Sequence, residues 1–466
     1  MSSSSHTPHG ANQSDANQSG ANDSLDALGT PKLFRPLEKF LHIEAAGGIA
    51  LLAAVATALI WANWPGSDSY AHAWHAPIGL HLGDFTVSQP LHFYINDALM
   101  TVFFLVVGLE IRREMVDGAL ASLRLTALPL AAAIGGIVVP ACIFAVLNSG
   151  DLREGWAVPT ATDIAFAIGI LTLLGARVPV QLRALLLAIA IIDDIGAILV
   201  IALFYSSGVQ FIGLAIAAAG VLLVYVFQYV GIRTALPYVV PGAVVWVGIL
   251  QAGVHPTIAG VILGLLTPVA TPVDRNAMLD GAAGVVNKLR KRFAQNDTAE
   301  REHHVTESLQ QLKDIQREML PPVVRVETAL HPWVAFGIMP LFALANAGVV
   351  IDRAALTALI DHSVSIGIAV GLVAGKPIGI VLFSLLAVRL RIAALPGGVD
   401  YRGLSVIGCL GGIGFTMSIF LSQLAFADDG IIAIAKTAVL FSSAAAALLG
   451  LGAGMKLLSR NREITT

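Results

Sequence analysis

The chain has 466 residues, 56% of them hydrophobic and only 13% charged, and its mean hydropathy is +0.77. A water-soluble domain carries about 25% charged residues, so this composition excludes an ordinary soluble fold and places the chain in a membrane. The net charge of -3 offers nucleic acid no electrostatic attraction, and the two cysteines, Cys142 and Cys409, stand in apolar runs without the spacing of a disulfide framework or a zinc site.

Residues 1–31 are polar and repeat a five-residue unit from Ala11, Ala16 and Ala21. They hold no apolar core of a signal peptide and too little apolar surface to fold, so a disordered cytoplasmic tail is expected. Twelve apolar segments follow, centred near Ala53, Val102, Gly135, Ala167, Asp194, Val221, Val245, Val261, Leu344, Lys376, Gly412 and Ser443. Most approach the roughly 20 residues that a spanning helix needs. The expected class is an all-α integral membrane protein of twelve transmembrane helices, with spans 1–8 in 32–267 and spans 9–12 in 333–456.

Basic residues set the orientation. Of 28 Lys and Arg, 24 fall on the side that holds both termini, while Arg153 and Arg353 stand on the other and Lys376 and Lys436 lie within spans. Positive charge is retained on the cytoplasmic side, so both termini, including the short tail at 457–466, are placed there. The stretch 63–91 then faces outward. Within it Ile78, Leu80 and Leu82 alternate before Gly83-Asp84 and Phe85 and Val87 alternate after it, the pattern of a small β-hairpin. A lone hairpin is only marginally stable and calls for a partner strand, such as a second copy of itself. The connection 268–332 reads as a solvated cytoplasmic loop, partly helical around Glu302 to Met319.

The chemistry concentrates in four spans. Asp193 and Asp194 stand together in an apolar run that has no other ionisable group after Arg183. One ionised aspartate at the centre of a membrane helix costs roughly 2.5 to 3.5 kcal/mol on insertion scales, so a pair implies a function. In the fourth span Pro159 precedes Thr160, Thr162 and Asp163; in the eleventh Gly408, Gly411, Gly412 and Gly414 precede Thr416 and Ser418. Proline removes a backbone donor and glycine weakens a helix, so helices 4 and 11 are expected to be interrupted at mid-depth. Matched interruptions six or seven spans apart predict inverted-topology repeats, spans 3–5 against spans 10–12. Glycine for tight packing and a simple proline kink are the plainer alternative.

Asp163 and Asp194, with the Thr162 hydroxyl, supply hard oxygen ligands suited to a small alkali cation, and desolvation lets each carboxylate hold a proton until a cation displaces it. Competition for one site makes an exchanger. Successive helical residues point about 100° apart, so one of Asp193 and Asp194 should face the ion and the other a cation, for which Lys376 is the candidate, as a buried ion pair or proton carrier. A purely structural pair joining the fifth and tenth spans remains open.

Seven runs, in order, carry a resemblance: INDALMTVFFLVVGLEIRRE (95–114), TATDIAFA (160–167), IIDDIGAI (191–198), GVHPTIAG (253–260), LHPWVAF (330–336), GKPIG (375–379) and GGIGFTMSIF (411–420). Together they resemble the NhaA-type sodium/proton antiporters, a family that is itself a known example of inverted repeats. The resemblance implies an inner-membrane secondary transporter, not an enzyme, that exchanges cytoplasmic Na+ or Li+ for external H+ and needs no cofactor beyond those ions. It implies ion-site roles for Asp163, Asp194 and Thr162, a buried pair of Asp193 and Lys376, and an accessory role for Asp97 near the external end of the second span. Two protons in per sodium out would move one net charge, worth about 2.3 kcal/mol per 100 mV. The resemblance also implies a homodimer through the 78–87 hairpin and surrounding membrane lipid. It links Glu110, Arg113, Glu114, His255, Glu327 and His331 to pH activation, although Thr328 stands where better-known members have another histidine.

Two other classes were weighed against exchange. A proton-coupled symporter of an organic solute would want aromatic or guanidinium groups near the site, which are sparse. An intramembrane protease would want its two aspartates on separate helices, whereas Asp193 and Asp194 are adjacent.

Overall fold

The computed structural model describes residues 35–458 of the chain except 67, 83–84, 119, 207, 209, 233, 270–274, 294–306, 314 and 316–318. The chain divides into two compact units, 1–43 and 44–466. Of the first, the described part is the opening of helix α1 (Arg35–Ala62). The expected tail over 1–31 lies outside the described residues.

In the second unit, α1 is followed by a short helix α2 (Asp68–His75), which the sequence reading did not foresee. Strands β1 (Pro77–Leu82) and β2 (Phe85–Pro90) then pair antiparallel with Leu82 opposite Phe85, as the alternation predicted. The helices after them are α3 (Leu91–Val116), α4 (Leu123–Leu147), a 3-10 helix (Gly150–Thr160) leading into α5 (Ile164–Leu173), α6 (Val180–Phe204), α7 (Phe211–Tyr229), α8 (Val239–Gln251) and α9 (Thr257–Leu266). Beyond the hydrophilic connection come α10 (Arg275–Phe293), α11 (Pro322–Asn346), α12 (Arg353–Asp361), α13 (Ser363–Arg389), α14 (Tyr401–Gly411), α15 (Phe415–Ala425) and α16 (Asp429–Leu458).

Seven of these helices are long and apolar enough to cross a membrane, or nine if each of two bent pairs counts as one span. The bent pairs are the two predicted interruptions: the 3-10 helix and α5 meet at 44°, and α14 and α15 at 46°. Shorter apolar helices at Ala46–Ala62, Leu236–Gln251 and Thr257–Leu266 coincide with the remaining three apolar segments. Large side chains such as Leu203, Phe211 and Leu448 are exposed on these helices. Exposed apolar surface on such a scale is suited to lipid and not to water.

Small residues let the helices approach closely, as is usual where no solvent drives them together. A Cβ on Gly135 would strike the Gly379 carbonyl, and one on Gly379 would strike Gly135, so α4 and α13 touch backbone to backbone. Likewise Gly260 and Gly264 of α9 lie against Thr101 and Gly108 of α3. Three π-helical turns interrupt the long helices, at Tyr94–Leu99, Val334–Ile338 and Gly371–Gly375. Such turns frequently mark functional positions, and among these described turns the first holds Asp97 and the last immediately precedes Lys376.

The ends of the hydrophilic connection are pinned together by the Val323 amide donating to the Pro268 carbonyl at 3.2 Å. Of the segment expected to be partly helical, Glu302 to Met319, residues 307–313 are helical, while 302–306, 314 and 316–318 lie outside the described residues. The sequence reading did not single out α10. Apolar residues at helical spacing, Leu279, Ala282, Val285 and Leu289, are nevertheless enough to give it one apolar stripe.

Candidate functional site

The two interruptions cross, and their free backbone ends build a polar centre inside the apolar bundle. Asp163 is the N-cap of α5, where its Oδ1 accepts from the Phe166 amide at 3.0 Å. Its Oδ2 accepts from the Thr416 amide at 3.2 Å and the Thr416 hydroxyl at 2.5 Å. One carboxylate therefore caps the N-termini of both α5 and α15, where unsatisfied amides carry partial positive charge. The Asp163 amide in turn donates to the Ile413 carbonyl at 2.7 Å, which locks one break against the other. Phe415, first residue of α15, sits at φ 23°, a strained value for a non-glycine residue. Its amide is held by the Ser443 hydroxyl of α16 at 3.0 Å.

The opposite charge meets the opposite helix ends. Lys376 is fully buried, and its Nζ donates to Asp193 Oδ2 at 2.9 Å and to the Thr160 carbonyl that closes the 3-10 helix. A cation there complements the partial negative charge of a helix C-terminus. The Gly135–Gly379 contact places Lys376 at this depth by allowing α13 to lie directly on α4, and Gly136 borders its Cε. Lys376 thus pairs with Asp193.

The Thr162 hydroxyl lies 2.7 Å from Asp193 Oδ2 and 3.0 Å from the Gly411 carbonyl. One proton serves these two acceptors, so Thr162 orients the Asp193–Lys376 pair, and its oxygen keeps the lone pairs by which a hydroxyl ligates a cation.

Asp194 differs from its neighbours. It is 3% exposed, and among the described residues no hydrogen bond or ion pair holds its carboxylate. Asp163, Asp193 and Glu110 all act on it with like charge, opposed by Lys376. Asp193 likewise keeps one buried oxygen, Oδ1, without a hydrogen-bond partner. An ionised carboxylate so placed, buried and without an ion pair, is strongly disfavoured unless a proton or a cation joins it.

The residues expected to respond to pH do not form one cluster. Arg113 of α3 bridges Glu327 of α11 at 2.6 Å and Glu114 at 3.4 Å, and His331 acts electrostatically on Glu327. Glu110 lies one turn closer to the membrane centre and is coupled to Asp194. His255 stands apart. Its Nε2 is 3.4 Å from Asp97 Oδ1, its Nδ1 is 2.8 Å from the Thr257 hydroxyl, and its ring packs edge-on against Phe420. The parallel packing of α9 on α3 aligns His255 with Asp97, sixteen residues from Arg113, about 24 Å along a helix.

Sequence reasoning missed two groups. Thr416 was seen beside the glycines but not as the second donor to Asp163, a role that depends on contact between residues 253 positions apart. At the far end of α15, Gln423 and Asn96 bond one another at 2.9 Å, and Gln423 also donates to Asn346 Oδ1. Asn346 Nδ2 donates to Asn96 Oδ1 at 2.8 Å, and its Oδ1 lies 2.8 Å from His92 Nε2. A buried amide network so joins α3, α11 and α15. Its sequence signal, the polar residues His92, Asn96, Asn346 and Gln423 in three otherwise largely apolar helices, was present but not distinctive.

Known proteins resemble this chain over most of its length. A family profile described as "Na+/H+ antiporter 1" matches residues 38–453. A "Na(+)/H(+) antiporter NhaA" of Janthinobacterium sp. (strain Marseille) is 55% identical over 91% of this chain and 93% of its own. A protein of the same description from Cupriavidus necator is 53% identical over 93% and 92%, and a "Na(+)/H(+) antiporter NhaA 2" of Myxococcus xanthus is 52% identical over 91% and 90%.

Proposed function

From the premise that this chain belongs to the Na+/H+ antiporter 1 family, and is a multi-pass membrane protein that exchanges sodium for protons, we propose that it does so by proton and cation competition at Asp194 and Asp163. The observation that carries the proposal is the buried Asp194 carboxylate, which has no hydrogen bond or ion pair among the described residues and is surrounded by like charge. With a proton it is neutral; with Na+ or Li+ it is paired. Either state is tolerable in a low-dielectric site, and the empty ionised state is not. Asp163, held by two helix N-termini, supplies the second oxygen donor, and Thr162 and the Asp193–Lys376 pair fix the frame around it.

Alternating access follows from the crossing. The breaks are held to each other by the Asp163 to Ile413 and Thr416 bonds, so neutralising Asp163 by Na+ changes the charge that both N-termini face and biases one arrangement of the bundle over another. Electrogenic exchange requires a second proton, for which the Asp193–Lys376 pair is the carrier. The nine long spans and three shorter helices would make twelve, with both termini and the 268–332 loop in the cytoplasm of an inner-membrane protein. The repeat would set α4 to α6 against α13 to α16. The Arg113, Glu114, Glu327 and His331 group, at the cytoplasmic end of α3, is the proposed pH-responsive element, and the 78–87 hairpin the proposed dimer contact.

The test is acridine-orange dequenching in inverted vesicles on addition of Na+, Li+ or K+. Wild-type protein should respond to Na+ and Li+. The double variant D163N/D194N should give no response although it is present in the membrane; exchange at the wild-type rate by that variant would end the proposal.

A further inference from the structure

We propose that α10 is a surface-bound helix that docks on anionic phospholipid headgroups of the bilayer in which the protein sits. The inference rests on the membrane-spanning reading above and adds a contact that transport itself does not require.

The tether comes first. The connection leaves α9 and re-enters α11 through a neck closed by the Val323 to Pro268 hydrogen bond; α11 is long and apolar enough to cross a membrane and α9 is a shorter apolar helix. Only six residues separate Pro268 from Arg275, a reach of at most about 25 Å over the seven steps. The start of α10 is therefore confined to the neighbourhood of the membrane surface.

The chemistry comes second. Along α10 one edge of the apolar stripe, at Val285, is buried at 7% exposure, whereas the other, at Leu279 and Val286, is open at 54% and 43%. These two open residues are seven apart and so lie on the same face, two turns from each other. The C-terminal turns then carry Lys288, Arg290, Lys291 and Arg292 within five positions. An open apolar edge on a helix whose last turns carry four cations in sequence is complementary to an interface in which acyl chains underlie negative headgroups. It is poorly complementary to water, which would leave the apolar edge bare, and to an acidic protein, which would leave it uncovered.

The experiment uses full-length protein in proteoliposomes. In a C142S/C409S background, V286C is labelled with a bimane fluorophore, and N287C, about 100° further round the helix, serves as the comparison. Vesicles contain doxyl-labelled lipid and either phosphatidylcholine alone or phosphatidylcholine with phosphatidylglycerol. Quenching at position 286 should exceed that at 287 in the anionic vesicles, should fall in pure phosphatidylcholine and at high salt, and should be largely lost in K288Q/R290Q/K291Q/R292Q. Equal quenching in both lipids, quenching that survives removal of the four charges, or none at position 286 would each overturn the proposal. A label shielded from aqueous quencher in detergent would also overturn it, by showing a protein cover. Exchange measured in the same vesicles separates the two readings: quenching without exchange leaves the helix assignment standing and removes the antiport mechanism, and exchange without quenching does the reverse.

Discussion

The crossing around Asp163 and the amide network around Asn346 lie at the two ends of the same short helix, α15, and bury their polar groups in opposite ways. At the network, neutral amides satisfy one another: Asn346 is 1% exposed, and its Oδ1 and Nδ2 both have partners on other elements. At the crossing, the groups are charged, and Asp194 is left without a hydrogen bond or ion pair among the described residues. Satisfied polar groups fix a structure, whereas an unsatisfied charge is a place for something to bind. The contrast makes the network a clamp and the crossing a site.

The largest effect that should separate the two comes from their central residues. D194N is expected to abolish Na+-dependent dequenching while leaving the protein folded, because it removes a charge that nothing in the bundle pairs. N346L should do the reverse, lowering stability by about 1–3 kcal/mol through the orphaned amides of Asn96 and Gln423 while exchange persists. Loss of all exchange in a folded N346L protein would erase the distinction.

The Asp193–Lys376 pair tests the charged region from within. K376Q leaves a buried carboxylate unpaired and should cost roughly 3–5 kcal/mol, and D193N/K376Q should recover most of it because burying a neutral pair avoids the desolvation penalty. Thermal unfolding in detergent reads both. A double variant no more stable than K376Q would show that the pair contributes more than mutual neutralisation.

Smaller effects test how the regions are held. G379A should force α13 from α4 and destabilise by about 1–3 kcal/mol, reducing exchange through displacement of Lys376. The weakest is at Tyr70, outside the spans, whose hydroxyl donates to the Leu344 carbonyl at 2.8 Å and accepts from the Gly348 amide at 3.1 Å. Burial pushes its pKa up from 10.0 to about 12. A raised folded-state pKa means stability that is complete below pH 10 and lost as pH climbs toward 12. Y70F should therefore be about 1 kcal/mol less stable than wild type at neutral pH, with the difference shrinking between pH 10 and 12; a constant difference across that window would contradict the assignment.

What could be read in advance was whatever local chemistry dictates. Pro159 and the glycines at 411, 412 and 414 weaken a helix beside a cluster of polar residues, so both breaks were legible, and so was the hairpin from its alternation around Gly83-Asp84. The fixed 100° step separated Asp193 from Asp194 before any coordinates. What could not be read was tertiary approach. Thr416 caps Asp163 only because two breaks meet; Asn96, Asn346 and Gln423 find one another only because three helices converge. His255 was grouped with Glu327 by resemblance, yet the glycine seam of α9 on α3 carries it to Asp97. The acceptors of the Thr162 hydroxyl, Asp193 and Gly411, could not be read either, because they come from other helices.

Direct titration of the site tests the exchange mechanism most closely. Purified protein in weakly buffered detergent solution, given Na+ near the pH at which exchange begins, should release protons, with K+ producing none and D163N/D194N silent to both. Na+ binding by wild-type protein with no proton release, or release undiminished in the double variant, would contradict the claim that one set of buried oxygens serves both ions.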